Sequence, residues 1–303
     1  MTIRTPPGDR CSGGSYLCHS SFAMHPRNRY RDKHDFRELS RLSPELDQYL
    51  TVNATGKLSL DFTQRRALLL LNRTLLLRDY GLTHWDIPAD HLVPPLPGRL
   101  DYIHALADLV PDARRIMDVG TGASAIYPIL GVREYGWEFV GTEVNPQSVK
   151  VAEAIVRFNP SLRGKVAIRL QKDRKRMLDG VVGEGEHFDA IMCNPPFYES
   201  REEAERAGSK KWKKLGRTDS GLSFGGADSE LWTEGGEPAF LRRMIAESRD
   251  YHSQVGWFTT LVSKRGYLQP AHQQLDRLAA EVRVIPLEQG NKKSRILAWR
   301  YET

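Results

Sequence analysis

Arg115-Ile-Met-Asp118-Val-Gly120-Thr-Gly122-Ala-Ser124 decides the fold of this chain. A short apolar strand runs into a turn with two glycines, and the residues beyond it read as a helix. Glycines let a backbone approach a ligand closely, and a helix start offers N–H groups without partners. A second strand, Trp137-Glu-Phe-Val-Gly-Thr142, ends in Glu143. That carboxylate falls about 20 residues past the turn, the spacing at which it would hold both hydroxyls of a ribose. The pair reads as a nucleotide-cofactor site.

Gly120-x-Gly122-x-x-Ala125 also satisfies the permissive form of a dinucleotide fingerprint. Asp118 tips the choice, because a carboxylate just before the turn suits an amino group and a sulfonium better than a pyrophosphate. S-adenosylmethionine is therefore the expected cofactor rather than a nicotinamide.

The apolar run Phe188-Asp-Ala-Ile-Met-Cys193 opens into Asn194-Pro195-Pro196-Phe197. This loop suits methylation of an exocyclic amine with a delocalised lone pair, such as adenine N6 or a side-chain amide. The Asn oxygen and the carbonyl of the next residue each accept one amine hydrogen and free the lone pair. Two prolines stiffen the loop and remove competing donors. Phe197 offers a face for a flipped base, worth roughly 1–3 kcal/mol.

With these stretches the chain resembles the class I adenine-N6 methyltransferases, and more closely the bacterial 23S ribosomal RNA methyltransferase F type. The resemblance runs from Met24 to the C-terminus. It is carried by His25-Pro-Arg-Asn-Arg-Tyr30, Leu100-Asp-Tyr-Ile-His104, Asp118-Val-Gly-Thr-Gly122, Asn194-Pro-Pro-Phe197 and Glu234-Gly-Gly-Glu237, in that order. It implies methyl transfer from S-adenosylmethionine to N6 of one adenosine in 23S ribosomal RNA, free or within a large-subunit assembly intermediate. It also implies that Asn194, Pro195, Pro196 and Phe197 orient the amine and stack the base, with Gly120, Gly122, Glu143 and Asn194 in the cofactor pocket. Arg99 resembles a family arginine that reaches the methionine carboxylate. Asp173 falls where the family closes the adenine end, although Lys172, Arg174, Lys175 and Arg176 around it equally make it a salt-bridge partner.

Charge agrees with an acidic partner. The 303 residues carry a formal charge of +6, and the cations are grouped. Arg27, Arg29, Arg31 and Lys33 crowd an early stretch, Lys172 to Arg176 another, and Lys210, Lys211, Trp212, Lys213 and Lys214 set an indole among cations after the proposed catalytic loop. Such interleaving suits phosphate and base contacts. Cys11, Cys18 and Cys193 have no metal-ligand pattern, so no metal is expected, and three cysteines suit a reducing cytoplasm. Cys193 reads as a small apolar strand residue rather than a nucleophile. No apolar stretch is long enough for a bilayer, so no membrane partner is expected.

The predicted organisation is a disordered extension over 1–23, a small, mostly helical RNA-binding module over 24–98, and a methyltransferase domain over 99–303. Helices are predicted after Ser43 and from Phe62 to Tyr80, and the proline-rich stretch from Ile87 to Gly98 reads as a stiff linker. Strands near 115–119, 137–142, 166–170, 188–193, 255–262, 282–286 and 295–301 alternate with helices. This is an α/β, doubly wound, seven-stranded, mostly parallel Rossmann-like sheet with one reversed strand near its edge. The charged segment from Glu199 to Gly236 reads either as a substrate lid hinged near Ser220 to Gly226 or as a surface loop. Two rival functions remain: a glutamine side-chain methyltransferase acting on a translation factor, and a non-catalytic RNA-binding assembly protein. A monomer is expected.

Overall fold

The computed structural model describes residues 24–302 apart from 33, 54, 197, 201–202, 204–231 and 290–291. The expectations for residues 1–23, Lys33, Phe197, Lys210 to Lys214 with Trp212, and the hinge at 220–226 therefore lie outside the described residues.

The N-terminal part begins with α1 (Phe36–Leu42), capped by the Asp35 carboxylate, which accepts from the amides of Arg37 and Glu38. A 3-10 turn over Pro44–Tyr49 leads into a hairpin of β1 (Leu50–Val52) and β2 (Leu58–Leu60). Helix α2 (Arg65–Tyr80) starts at Arg65 rather than Phe62. Asp61 accepts from the Thr63 amide and hydroxyl, and that local turn competes with the helix. The stretch read as a linker ends inside α3 (Leu96–Leu109), so the boundary placed at 98/99 falls in the first turn of this helix. Proline near a helix start is favourable, because its missing N–H would have no partner there.

Seven further strands form one sheet: β3 (Arg115–Val119), β4 (Glu138–Glu143), β5 (Val166–Leu170), β6 (Phe188–Cys193), β7 (Val255–Val262), β8 (Ala280–Gln289) and β9 (Lys292–Tyr301). Their order is β5-β4-β3-β6-β7-β9-β8, parallel except for β9, which runs against both neighbours. Helices α4 (Ile126–Tyr135), α5 (Pro146–Phe158), α6 (Gly236–Ser248) and α7 (Leu268–Arg277) fill most connections. The chain reverses its winding direction between β3 and β6, and a doubly wound sheet opens a crevice at the strand ends there.

Alternation along the strands divides the core into two. Ile116, Ala190, Met192, Trp257, Ile296 and Ala298 face a cluster that also holds Leu39, Leu76, Trp85, Leu100 and Ile129, so the N-terminal part covers one face together with α3 and α4. Met117, Ile191, Cys193, Phe258, Leu297 and Trp299 face the other side, against Leu241, Met244 and Ile245 of α6 and Leu275 of α7. Polar ties fix the N-terminal part further. The Trp85 indole donates to Ser124 O, Asn159 accepts from the amides of Thr83 and His84, and Asp101 accepts from Asn28 Nδ2 and the His25 amide. The same segment thereby brings Leu92 and Pro94 to the crevice. Among the described residues no helix is long and apolar enough to cross a membrane.

Candidate active site

The glycine turn leaves β3 with Gly120 at φ 76° and Gly122 at φ 65°, conformations that glycine alone adopts freely. The amides of Gly120 and Thr121 donate to Thr142 O, which folds the turn over the end of β4. Glu143 terminates that strand and ties three elements together. One carboxylate oxygen accepts the Gly122 amide at 3.1 Å, and the other accepts the Asn145 amide at 2.8 Å, at the start of α5.

Asp118 lies at the end of β3 with no exposed surface. Neither of its carboxylate oxygens has a hydrogen-bond partner. Burial pushes this carboxyl up to about 7; the Thr121 hydroxyl and the Arg99 guanidinium oppose the rise, and Glu143 adds to it. An orphaned buried acid of this kind is destabilising unless a cation or donor meets it. Arg99, on α3, is buried beside it and donates Nη1 to Tyr127 Oη at 2.8 Å.

Next to β3, strand β6 delivers Asn194, whose Oδ1 is buried and also without a partner. Cys193 is a buried free thiol, pushed well up by burial, which agrees with a strand residue and not a nucleophile. After the prolines the chain returns through a short parallel bridge between Tyr198 and Trp232, supported by the Thr233 amide on Tyr198 O. The Glu234-Gly-Gly-Glu237 motif completes this return. A Cβ on Gly236 would stand 2.6 Å from Glu199 Cγ, and buried Glu237 accepts from the Ser263 amide and hydroxyl beyond β7. The two ends of the long segment after Asn194 are thus held side by side.

These residues surround a cavity of about 500 Å³. Its lining includes Arg99, Gly120, Gly122, Glu143, Asn194 and Pro196, whereas Asp118 and Pro195 are not among the lining residues. Asp173 is not in the lining. Its carboxylate accepts the Lys175 amide, and Gln171 faces the cavity in its place, held by its Nε2 on Asp179 O. Sequence reading missed Tyr127, Gln171, Trp232, Phe240 and Arg243 as lining residues. The Arg174, Lys175 and Arg176 side chains, read only as part of a basic run, stand at the cavity as well. The early arginines lie elsewhere. Arg27 pairs with Asp108, Arg29 pairs with Glu134 and lies over the Tyr80 ring, and Arg31 donates to Pro26 O. Arg27 and Arg29 side chains remain 48% and 41% exposed, so each retains a face toward solvent.

A seven-stranded sheet with one reversed strand, a glycine turn backed by an acid, and a polar loop at the next strand end define a class I, Rossmann-like methyltransferase. A family model described as RNA methyltransferase matches residues 18–303, and the chain belongs to that family. It is 45% identical to the ribosomal RNA large subunit methyltransferase F of Klebsiella pneumoniae, over 92% of this chain and 94% of that protein. It is also 45% identical to that of Bacteroides fragilis, over 92% and 98%. Among solved structures, the hMettl16 catalytic domain in complex with the MAT2A 3′UTR hairpin 1 superposes with a TM-score of 0.81 at 34% identity, covering 92% of this chain and 96% of that one. The N-terminal domain of human METTL16 in complex with SAH gives 0.75 at 31% identity, over 93% and 100%. The protein is an S-adenosylmethionine-dependent methyltransferase, and the orphaned Asp118 carboxylate fits the positively charged end of that cofactor.

Proposed function

We propose that this enzyme methylates N6 of one adenosine in 23S ribosomal RNA, free or within a large-subunit assembly intermediate. The observation that carries the reading is a pair of unpartnered buried acceptors on adjacent strand ends, Asp118 behind the cofactor turn and Asn194 Oδ1 at the cavity. The names of the bacterial relatives bring ribosomal RNA to this chain.

In this reading Arg99 holds the methionine carboxylate, Asp118 faces the ammonium and sulfonium, the Gly120 to Gly122 backbone follows the cofactor, and Glu143 takes the ribose. Bound there, S-adenosylmethionine supplies an electrophilic methyl group. Asn194 Oδ1 and Pro195 O accept the two amine hydrogens and turn the nitrogen lone pair toward the methyl carbon. Pro196 keeps the loop stiff, and Phe197 would stack on the base. No covalent enzyme intermediate and no strong base are needed, since the methylated amine loses its proton readily. Arg174, Lys175 and Arg176 line the cavity, and such a cationic run favours a polyanion over a protein amide, which supports this reading over a glutamine methyltransferase. We take the enzyme to act as a cytoplasmic monomer.

Methyl incorporation into ribosomal RNA and into translation-factor protein, compared side by side with Asn194→Ala, tests the reading. The expected result is transfer to RNA only, lost by at least about 100-fold in Asn194→Ala while SAH affinity stays within about threefold. Label in protein alone, or a variant with near-normal turnover, would overturn it.

A further inference from the structure

We infer that Tyr102 is a positioning residue for the Asn194 loop: its hydroxyl, with that of Thr259, completes the edge of β6 where this strand parts from β7. The inference rests on the proposed role of Asn194 and adds the group that aims it.

On the β3 side, pairing of β6 continues to Val119↔Cys193. Pairing with β7 stops earlier, at Ile191↔Phe258. The backbone just before Asn194 therefore lacks a partner strand on one side, at the point where its direction matters most. Two side-chain hydroxyls take over there. Thr259 Oγ1 donates to Ile191 O at 2.8 Å, and Tyr102 Oη stands 2.8 Å from Thr259 Oγ1. The Cys193 amide donates to Tyr102 Oη at 3.4 Å, and Cys193 O is 3.5 Å from the same atom. The proton count closes: Cys193 N–H to Tyr102, Tyr102 O–H to Thr259, Thr259 O–H to the Ile191 carbonyl.

Tyr102 and Thr259 have no exposed surface, so the relay is dry and its bonds do not exchange with water. Tyr102 does not line the cavity, so it acts through the loop and not on the substrate. Its ring meets Tyr127 edge-on, with centroids 5.5 Å apart, and Tyr127 Oη receives Arg99 Nη1. One helix, α3, thus carries both the arginine at the cofactor end and the tyrosine that sets the amine-orienting end. A displacement of the Asn194 oxygen by a fraction of an ångström would spoil the alignment of nitrogen, carbon and sulfur without altering cofactor contacts.

The test compares Tyr102→Phe, Thr259→Val and Thr259→Ser in the full chain. Tyr102→Phe should lower kcat for RNA methylation about 10- to 100-fold, with SAH and RNA affinities within about threefold of wild type. Thr259→Val should do the same, Thr259→Ser should restore most of the rate, and the double variant should be no slower than the slower single one. A Tyr102→Phe rate within about twofold of wild type, a parallel loss of SAH affinity, or multiplying effects would each overturn the relay. If Tyr102→Phe does not fold, the Val and Ser variants at 259 decide alone. Hydrogen exchange of the Cys193 amide, which needs no substrate, should accelerate in Tyr102→Phe; unchanged protection overturns the relay as well. A wild type inactive on RNA would fail the methyltransfer reading instead, and the exchange measurement would still decide the hydroxyl's hold on β6.

Discussion

Replacing Asp118 by Asn should remove a pH dependence that the structure builds into cofactor binding. The Asp118 carboxyl sits at about 7 against an ordinary 3.8, because burial outweighs the opposing Thr121 hydroxyl and Arg99 guanidinium. An acid raised in the folded state binds its proton there while the unfolded chain has lost it. Its contribution to stability is therefore present below about pH 4 and lost progressively as pH rises to about 7. At ~1.36 kcal/mol per pH unit the loss approaches about 4 kcal/mol, an upper figure that water entry reduces. Asp118→Asn should abolish that slope, leaving the ligand-free variant more stable than wild type at pH 8 and similar at pH 4. Binding of a cation beside the carboxylate should reverse the situation. At pH 7 the group is about half protonated, so S-adenosylmethionine should displace about half a proton, rising to about 0.9 at pH 6 and falling to about 0.1 at pH 8. Titration calorimetry in buffers of different ionisation enthalpy reads these values directly. The variant should show no proton release and at least about tenfold weaker binding at pH 8. Zero release by wild type across pH 6 to 8, or a variant with wild-type affinity, would refute the placement of the cofactor's cationic end.

The surface and the core make further predictions. Alanine at Arg174, Lys175 and Arg176 together should weaken RNA binding and lower the slope of log affinity on log salt by about 2–3, without changing SAH binding in titration; an unchanged slope would remove this loop from phosphate contact. Gly131→Ala places a Cβ 2.3 Å from Phe139 Cε2 in the packed interval between α4 and β4. Overpacking of roughly 1–3 kcal/mol should outweigh a helix gain of about 1 kcal/mol, and thermal melting should show a lower midpoint. Trp85→Ala should cost about 3–5 kcal/mol, because a fully buried indole and its bond to Ser124 O are both lost; a smaller loss in denaturant titration would mean that the N-terminal part contributes little to the core.

Much of this architecture was legible because the relevant signals are local. All seven sheet strands were predicted within a few residues, since buried parallel strands read as short apolar runs between turn residues. The last two came out short, at 282–286 and 295–301, whereas the hairpin pairs from Ala280↔Tyr301 to Gln289↔Lys292. Pro286 sits inside β8, which is tolerated because this strand is the sheet edge and its missing N–H interrupts no ladder. The β1–β2 hairpin went unread although Asn53 and Gly56 mark its turn, with Asn53 Oδ1 accepting the Thr55 and Lys57 amides. Helix α3 was missed for another reason. Pro97 and Gly98 read as linker, and Leu96 and Arg99 to Leu106 are all buried because the N-terminal segment covers the side that carries Asp101 and His104.

At the site, Asn194, Gly120, Gly122 and Glu143 were legible as motif positions and converge on one cavity. Residues that reach the cavity from afar, such as Trp232 after the long segment and Phe240 and Arg243 on α6, carry no local signature. Asp173 shows the limit from the other side. A turn at Asp173 to Lys175 directs its carboxylate to a backbone amide, and the neighbouring Gln171 takes the cavity position.

The most direct measurement is to incubate the purified enzyme and radiolabelled S-adenosylmethionine with ribosomal RNA from a strain lacking its gene, then digest the RNA to nucleosides. Label is expected in N6-methyladenosine from the large-subunit RNA, and none with Asn194→Ala. Label in another nucleoside, in protein alone, or in none of these with either free RNA or large-subunit assembly intermediates would contradict the proposed reaction.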